Sequence, residues 1–459
     1  MLRNSRKWNT ETILFCTAFL YRLGIFFTLV WWASGAGLNY PKFGSDASGY
    51  WNLATEITQH SSYGELLRPP GYPLYLAFFQ TFLGTDVKAQ YAAVMVQIAC
   101  TAFAVILLYR LLKRVSTEHT AMAASLFFAL EPNSAYYSTL LLSDALFVFL
   151  LITCTYVFLT KTTYRAFFGA GFVLGAAMTV RPIAQFFPAV AILYLCIIHG
   201  VKRNIIVSSA AFFLGTLILP LPWMVYNHNT HDSFILSSSG PNTYYKYVMP
   251  QFEAWRTGKN IDDVYREFSI ALDTAVAKGT LAETFMQSEV KRIVTDNASA
   301  YTVYHTVKTV PFFLGDGIRE ILQKLKLLEI EQLNITTLIL QHKFKGIAKA
   351  ILAHPPLFIA VAGGVFWSAV LLLAVAGLWH AYRMGNHVRQ HAIFFAVTIL
   401  YFVLLTGAAT STRHRMPALP FIAALSAIGF YALADKRKPD HTKHISFPEF
   451  SKETYPPRT

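Results

Sequence analysis

The chain has 459 residues, of which 54% are hydrophobic and only 14% charged, an apolar content beyond what a water-soluble core absorbs. That excludes an ordinary soluble enzyme and makes the bilayer the solvent. The formal charge of +14 does not point to nucleic acid, because the lysines and arginines sit in short clusters between apolar runs, where they set topology.

Crossing roughly 30 Å of hydrocarbon takes about 20 mostly apolar residues. In chain order this filter predicts spans at Thr12–Ala33, Ala89–Leu112, Thr120–Tyr137, Leu140–Leu159, Ala166–Val180, Ile183–His199, Ile205–Tyr226, Leu357–Tyr382, Ala392–Ala408 and Pro417–Ala434. The basic start, Arg3, Arg6 and Lys7, precedes a long apolar stretch without an A-x-A-like cleavage site, which reads as a retained first helix. Between the first two spans, LLRPPGYPLYLAFFQTFLG breaks helix at Arg68, Pro69, Pro70, Gly71 and Pro73. The following run, Leu74–Leu83, is too short to span and is predicted to lie on the membrane surface. Alternating the sides places Arg3/Arg6/Lys7, Lys113/Arg114, Lys161/Arg165, Lys202/Arg203, Arg383/Arg389 and Lys436/Arg437/Lys438 on one face, cytoplasmic by the positive-inside rule. The external face then receives loop 34–88 and a segment of soluble-like composition over 227–356, with helical patterning at Asp262–Ala277 and Leu281–Ala298. The expected organisation is an N-terminal transmembrane module over 1–226, the external, mainly helical subdomain, closing helices over 357–434 and a polar cytoplasmic tail over 435–459. The four cysteines fall inside apolar runs without CxxC or Cys/His spacing, so neither a disulfide framework nor structural zinc is expected.

The informative residues are those that oppose this topology, since a charge near the bilayer centre costs on the order of 2.5 to 3.5 kcal/mol. Arg68, Arg181, Arg413 and Arg415 lie on the external side against the charge bias. Guanidinium offers a planar fork matched to phosphate oxygens, so the set reads as a phosphate site at headgroup level, with headgroup snorkelling the bland alternative. Acids on the same face are Asp46 in FGSDASGYW, Glu131 before Pro132, and Asp144 in LLLSDALF. A helix cap is the plain reading of Asp46, and a structural hydrogen bond that of Asp144. Tyr50, Tyr72 and His414, beside these charges, are assigned to a substrate pocket. GAGFVLG over Gly169–Gly175 lacks GxGxxG spacing and reads as a small-xxx-small helix contact. His228, His231 and Asp232 have metal-compatible spacing but stand in a hydrophilic turn of a common kind.

With these segments in hand, the sequence resembles the GT-C superfamily of membrane glycosyltransferases, which includes the family 39-like dolichyl-phosphate-mannose protein mannosyltransferases and the lipid A aminoarabinose transferases. SDASGYWNLA, RPPGYPLYLAFFQTFLG, LLLSDALFVFLL, MTVRPIAQFFP, LPWMVYNHNTHDSFILSSSGPN and TRHRMPALPF carry the resemblance by order and spacing over residues 10–434. The chain departs from the family pattern in having Tyr226-Asn227 where Arg-Asn is frequent, and one Asp in place of an acidic pair in the first loop. The resemblance implies an all-α polytopic membrane protein of about ten transmembrane helices. It also implies transfer of a sugar from a polyprenyl-phosphate donor to a glycan, glycolipid or protein acceptor at the external face. Asp46 matches the family's catalytic acid and would act as general base on the acceptor hydroxyl, with Asp144 and Glu131 as supporting acids. One base facing one anion site suits an inverting displacement.

A transporter or flippase of lipid-linked saccharides is the rival from another class. It calls for ionisable groups near the midplane and paired broken helices, whereas here the polar groups gather on one face. The expected setting is a multi-pass cell membrane location, the bacterial inner membrane with the site facing outward. No metal ligand is assigned, and a divalent metal is left open as a cofactor.

Overall fold

The computed structural model describes residues 9–42, 44–328, 339–341, 343, 345, 357–409 and 411–434. The basic residues Arg3, Arg6 and Lys7, the cluster Lys436/Arg437/Lys438 with the rest of the 435–459 tail, and 329–338 and 346–356 of the expected subdomain lie outside the described residues.

Among the described residues all regular structure is helical. The first half runs α1 (Thr10–Gly35), α2 (Ser45–His60), α3 (Gly71–Leu83), α4 (Val87–Leu112), α5 (Glu118–Leu130), α6 (Pro132–Ser138), α7 (Asp144–Thr160), α8 (Tyr164–Val180), α9 (Phe187–His199), α10 (Arg203–Leu217) and α11 (Pro220–His231). Side chains of Asn9, Thr117 and Thr163 accept backbone N–H bonds and cap α1, α5 and α8. A set of shorter helices follows: α12 (Ser239–Thr243), α13 (Met249–Thr257), α14 (Ile261–Ala277), α15 (Ala282–Asp296), α16 (Ala298–Lys308), α17 (Val310–Leu314) and α18 (Ile318–Lys324). The chain closes with α19 (Leu357–Arg383), α20 (Asn386–Thr406) and α21 (Leu419–Ala434). Where a short helix on the membrane surface is expected over Leu74–Leu83, the chain forms a short helix, α3, that begins three residues earlier at Gly71.

Among the described residues five helical stretches, Thr10–Gly35, Val87–Leu112, Pro182–His199, Phe358–Arg383 and Asn386–Ala409, are long and apolar enough to cross a membrane. The α10–α11 pair, bent by 44°, adds a sixth, and α7, α8 and α21 are apolar but shorter. The protein is therefore a multi-pass membrane protein, although length and composition do not carry the count to ten. At one end of the bundle the start of α1 meets the end of α4, where Arg110 pairs with Glu11 at 2.6 Å. Helices α8 and α10 approach closely through Gly171 and Gly215, whose added Cβ atoms would strike the carbonyls of Phe212 and Phe168. The GAGFVLG segment is thus a packing surface, as its spacing predicts.

The third expected span, Thr120–Tyr137, is where hydropathy alone misleads. Pro132 cannot continue a helix from α5, so the chain breaks at Glu131 and restarts as α6. Arg22, fully buried within α1, donates to the open carbonyls of Ala129 (2.6 Å) and Phe128 (3.4 Å) at the end of α5. Glu131 caps α6 through the Ser134 N–H at 2.5 Å. Arg415 lies 4.0 Å from Glu131, stacks 3.5 Å above the Trp367 ring, and donates to the carbonyls of Phe312, Phe313 and Gly315 at 3.0 to 3.3 Å.

This placement corrects two expectations. Glu131 was assigned to the acids of the reaction and Arg415 to the donor phosphate, but they are only 6% and 2% exposed and point into packed helices, one capping a break and the other closing an exposed helix end. Removing one partner of a buried charge network leaves the other uncompensated, at a cost of roughly 3 to 5 kcal/mol. Arg415→Ala should therefore lower the thermal unfolding midpoint in detergent by several degrees, and an unshifted midpoint would remove this structural assignment.

Candidate active site

At the opposite end of the bundle, five charged residues from distant parts of the chain meet. Asp144, in the first turn of α7, is 1% exposed. Its Oδ1 pairs with Arg181 Nη1, and its Oδ2 accepts from Nε and Nη2 of Arg413, each at 2.8 Å. The free edge of the Arg413 guanidinium reaches forward, and Nη1 donates to Asp46 Oδ2 at 2.9 Å. Arg68 Nη2 approaches Asp46 Oδ1 at 3.5 Å, while its Nη1 is held by both Glu65 oxygens at 3.0 and 3.2 Å. The Asp46 side chain is half-exposed, and the three arginine side chains are 16 to 17% exposed.

Local structure explains each placement. Asp46 and Asp144 both stand in the first turn of a helix, where the positive end of the macrodipole suits an acid. Pro182 pushes Arg181 out of helical geometry, so α8 stops and its last side chain turns sideways at the mouth of the bundle. Arg413 rides on a tight turn, Thr412–Arg415, locked by His414 Nδ1, which accepts the Ser411 N–H at 3.0 Å. Two glycines permit the close approaches. A Cβ on Gly49 would stand 2.8 Å from the Arg68 guanidinium carbon, and one on Gly71 would stand 2.7 Å from the Thr179 backbone, which lets the start of α3 sit beside Arg181.

Around the charges lies a polar and aromatic layer. Tyr50 places its ring 5.3 Å under Arg68 and its hydroxyl 3.2 Å from Ser143. On the other side, Tyr137 lies 5.9 Å from Arg413 and donates to Glu320 at 2.8 Å, and Lys324 and Thr412 bond the same carboxylate at 2.8 and 2.7 Å. Glu65, Tyr137, Glu320 and Lys324 were not anticipated from the sequence. Only Glu65 carried a local sign, standing three residues before Arg68.

Two pocket assignments change. Tyr72 is fully buried, edge-on to Tyr50 and bonded to Gln97 at 3.1 Å, so it supports Tyr50 from behind. The His414 ring is turned to the backbone of its own turn, and loss of water around it, with Arg181 and Arg413 nearby, pushes it down to about 4, leaving it neutral near pH 7. Burial alone would push the Asp46 carboxyl up, but Arg413 first, then Arg68 and Arg181, hold it below the ordinary aspartate value of 3.8.

Among the described residues no three His, Cys, Asp or Glu side chains are arranged to hold a metal ion. Asp46 and Asp144 do not fit one, because the Arg413 guanidinium bridges them and would repel a dication. The His228/His231/Asp232 turn forms no such group either. A separate cavity of about 270 Å³ lies between α13, α14 and α15, where Arg256, Lys259 and Arg292 pair with Glu253, Glu267 and Glu289.

Residues 68–226 match the dolichyl-phosphate-mannose-protein mannosyltransferase family. Among solved structures, the chain is similar to the apo oligosaccharyltransferase of Archaeoglobus fulgidus, with a TM-score of 0.53 and 12% identity over 95% of this chain and 52% of that one. The same enzyme tethered to an acceptor peptide with an NVT sequon gives 0.53 and 11% over 95% and 51%. Its complex with an inhibitory peptide and a dolichol-phosphate gives 0.50 and 12% over 86% and 47%. The chain thus spans about half the length of the solved structures it matches. No curated protein matches it in sequence. Residues 68–226 are thus similar to a membrane mannosyltransferase family, and the fold is similar to that of the archaeal oligosaccharyltransferase.

Proposed function

We propose that the protein moves a sugar from a polyprenyl-phosphate donor to a hydroxyl of a glycan, glycolipid or protein acceptor, with inversion, at the outer face of a bacterial inner membrane. The observation that carries this reading is a half-exposed carboxylate facing three converging guanidinium groups at one end of the bundle. In this reading module 1–226 holds the base-bearing loop 34–88 and most of the donor site. The 227–356 subdomain stands over the acceptor, 357–434 supplies Arg413 and closes the bundle, and 435–459 forms the cytoplasmic tail. The similar solved enzyme's complexes with a dolichol-phosphate and with an acceptor peptide support a lipid-phosphate donor and a separate acceptor.

The acceptor oxygen attacks the anomeric carbon while its proton passes to an oxygen of Asp46. The bond from that carbon to the phosphate oxygen breaks, and the electron pair leaves with the phosphate. Arg68, Arg181 and Arg413 then stabilise the charge that develops on the departing group, which is where preorganised donors contribute most. Asp144 acts through Arg181 and Arg413 by fixing their orientation.

In a membrane assay with a panel of polyprenyl-phosphate sugars, Asp46→Asn should lower transfer by about 10²- to 10⁴-fold, the usual contribution of a general base. Full transfer by the variant would remove Asp46 from the reaction. Gly49→Ala should raise the donor KM about tenfold with an unchanged unfolding midpoint, because only the flexible end of Arg68 has to move. An unaltered KM would argue against Arg68 as a phosphate ligand.

The pH profile gives a third test. An acid held below its ordinary value stays charged as pH falls through that value, and its contribution is lost only at lower pH, through its own depressed pKa. kcat/KM, which reports the free enzyme, should therefore show no acid limb from Asp46 above its ordinary 3.8. A limb centred near the ordinary histidine value of 6.5 would assign the proton transfer to a histidine other than His414, which is neutral there.

A further inference from the structure

Asp46 occupies two of the arginine donors that a phosphate entering this cluster would meet. Of the N–H groups in the cluster, Arg413 Nε and Nη2 are committed inward to Asp144 and Arg68 Nη1 to Glu65. Arg413 Nη1 and Arg68 Nη2 both end on Asp46, one on each oxygen, at 2.9 and 3.5 Å, while Arg181 gives Nη1 to Asp144. Carboxylate and phosphate oxygens are equivalent partners for a guanidinium fork, so the two groups compete for the same bonds. Charge balance points the same way. Arg68, Arg181 and Arg413 are matched by Glu65, Asp46 and Asp144, three against three, so a phosphate entering beside an undisturbed Asp46 would meet a neutral cluster.

We propose that Asp46 is an internal occupant of the donor-phosphate site, and that a polyprenyl phosphate binds by displacing it from Arg68 and Arg413, which frees the carboxylate to take the acceptor proton. Asp46 then competes with the phosphate, whereas Asp144, buried behind the arginines, anchors them for it. The base is delivered only when the donor is seated, so donor binding precedes acceptor activation, and neither water nor acceptor is deprotonated in an empty site. This inference rests on the donor-phosphate reading above.

The test is equilibrium binding of undecaprenyl monophosphate, without sugar, to the full chain in detergent. Asp46→Asn should bind it about three- to tenfold more tightly than wild type, the effect of removing two partly exposed ion pairs that binding has to break. Asp144→Asn should bind it more weakly. If wild type does not bind the lipid, the donor-phosphate reading fails and this inference with it. If wild type binds and Asp46→Asn binds equally or less tightly, the exchange is overturned while the donor site stands. If both variants bind more tightly, the gain follows net charge alone and the exchange is again overturned. Should Asp144→Asn not be recovered folded, Glu65→Gln replaces it: it holds Arg68 from the far side, so the exchange predicts unchanged or weaker binding, and tightening equal to that of Asp46→Asn would overturn it.

Discussion

The arrangement of the charged end of the bundle depends on one buried carboxylate. Asp144, 1% exposed, is shared between Arg181 at the end of α8 and Arg413 ahead of α21. A lone charge at this depth would be costly, and so would either guanidinium; each is tolerable because the other is there and the hydrogen bonds are direct. The triad therefore fixes where three segments end relative to one another. It also orients the free edge of Arg413 toward Asp46, so the exposed half of the site inherits its geometry from the buried half. Tyr137, Glu320, Lys324 and Thr412 brace the same turn from the other side, which leaves Arg413 little freedom except at its outward N–H groups.

Much of the membrane architecture was legible in the sequence because the bilayer imposes a length filter that few soluble segments pass. α1, α4, α7 through α10 and α19 through α21 lie where apolar runs predicted them, and the Pro-Pro-Gly-Tyr-Pro signal correctly marked α3 as a helix too short to span. The break at Glu131-Pro132 was less legible, because hydropathy averages across a proline that backbone geometry cannot ignore. Arg22 went unnoticed for a related reason. One arginine in an apolar run barely changes the mean, yet at mid-helix it needs partners, and it finds them in the carbonyls that the break in the next helices exposes.

The site was legible as a set of anomalies rather than as a geometry. Charges on the wrong side of a topology are visible one residue at a time, and Arg68, Arg181, Arg413, Asp46 and Asp144 do meet. What the sequence hides is direction. Arg413 and Arg415 look alike in TRHRMP, but the turn advances by about a third of a revolution per residue, so side chains two apart cannot face the same way. One reaches Asp46, and the other lies against Trp367 with its hydrogen bonds spent on backbone. Tyr50 and Tyr72 divide likewise, one under Arg68 and the other buried behind it.

The matched family segment, 68–226, contains Arg68, Asp144 and Arg181 but neither Asp46 nor Arg413. Two of the three arginines and the buried acid thus come from a region recognisable by sequence, while the exposed carboxylate and the arginine that faces it come from flanking regions. Contacts of 2.8 and 2.9 Å, between residues separated by hundreds of positions in the chain, join the two sets. A fragment holding the recognisable segment alone would keep the anchor, Asp144 with Arg181, but lack the outward donor of Arg413 and the carboxylate it holds. The chemistry proposed for this protein is accordingly a property of the closed bundle, in which α21 brings its preceding turn back against the ends of α7 and α8.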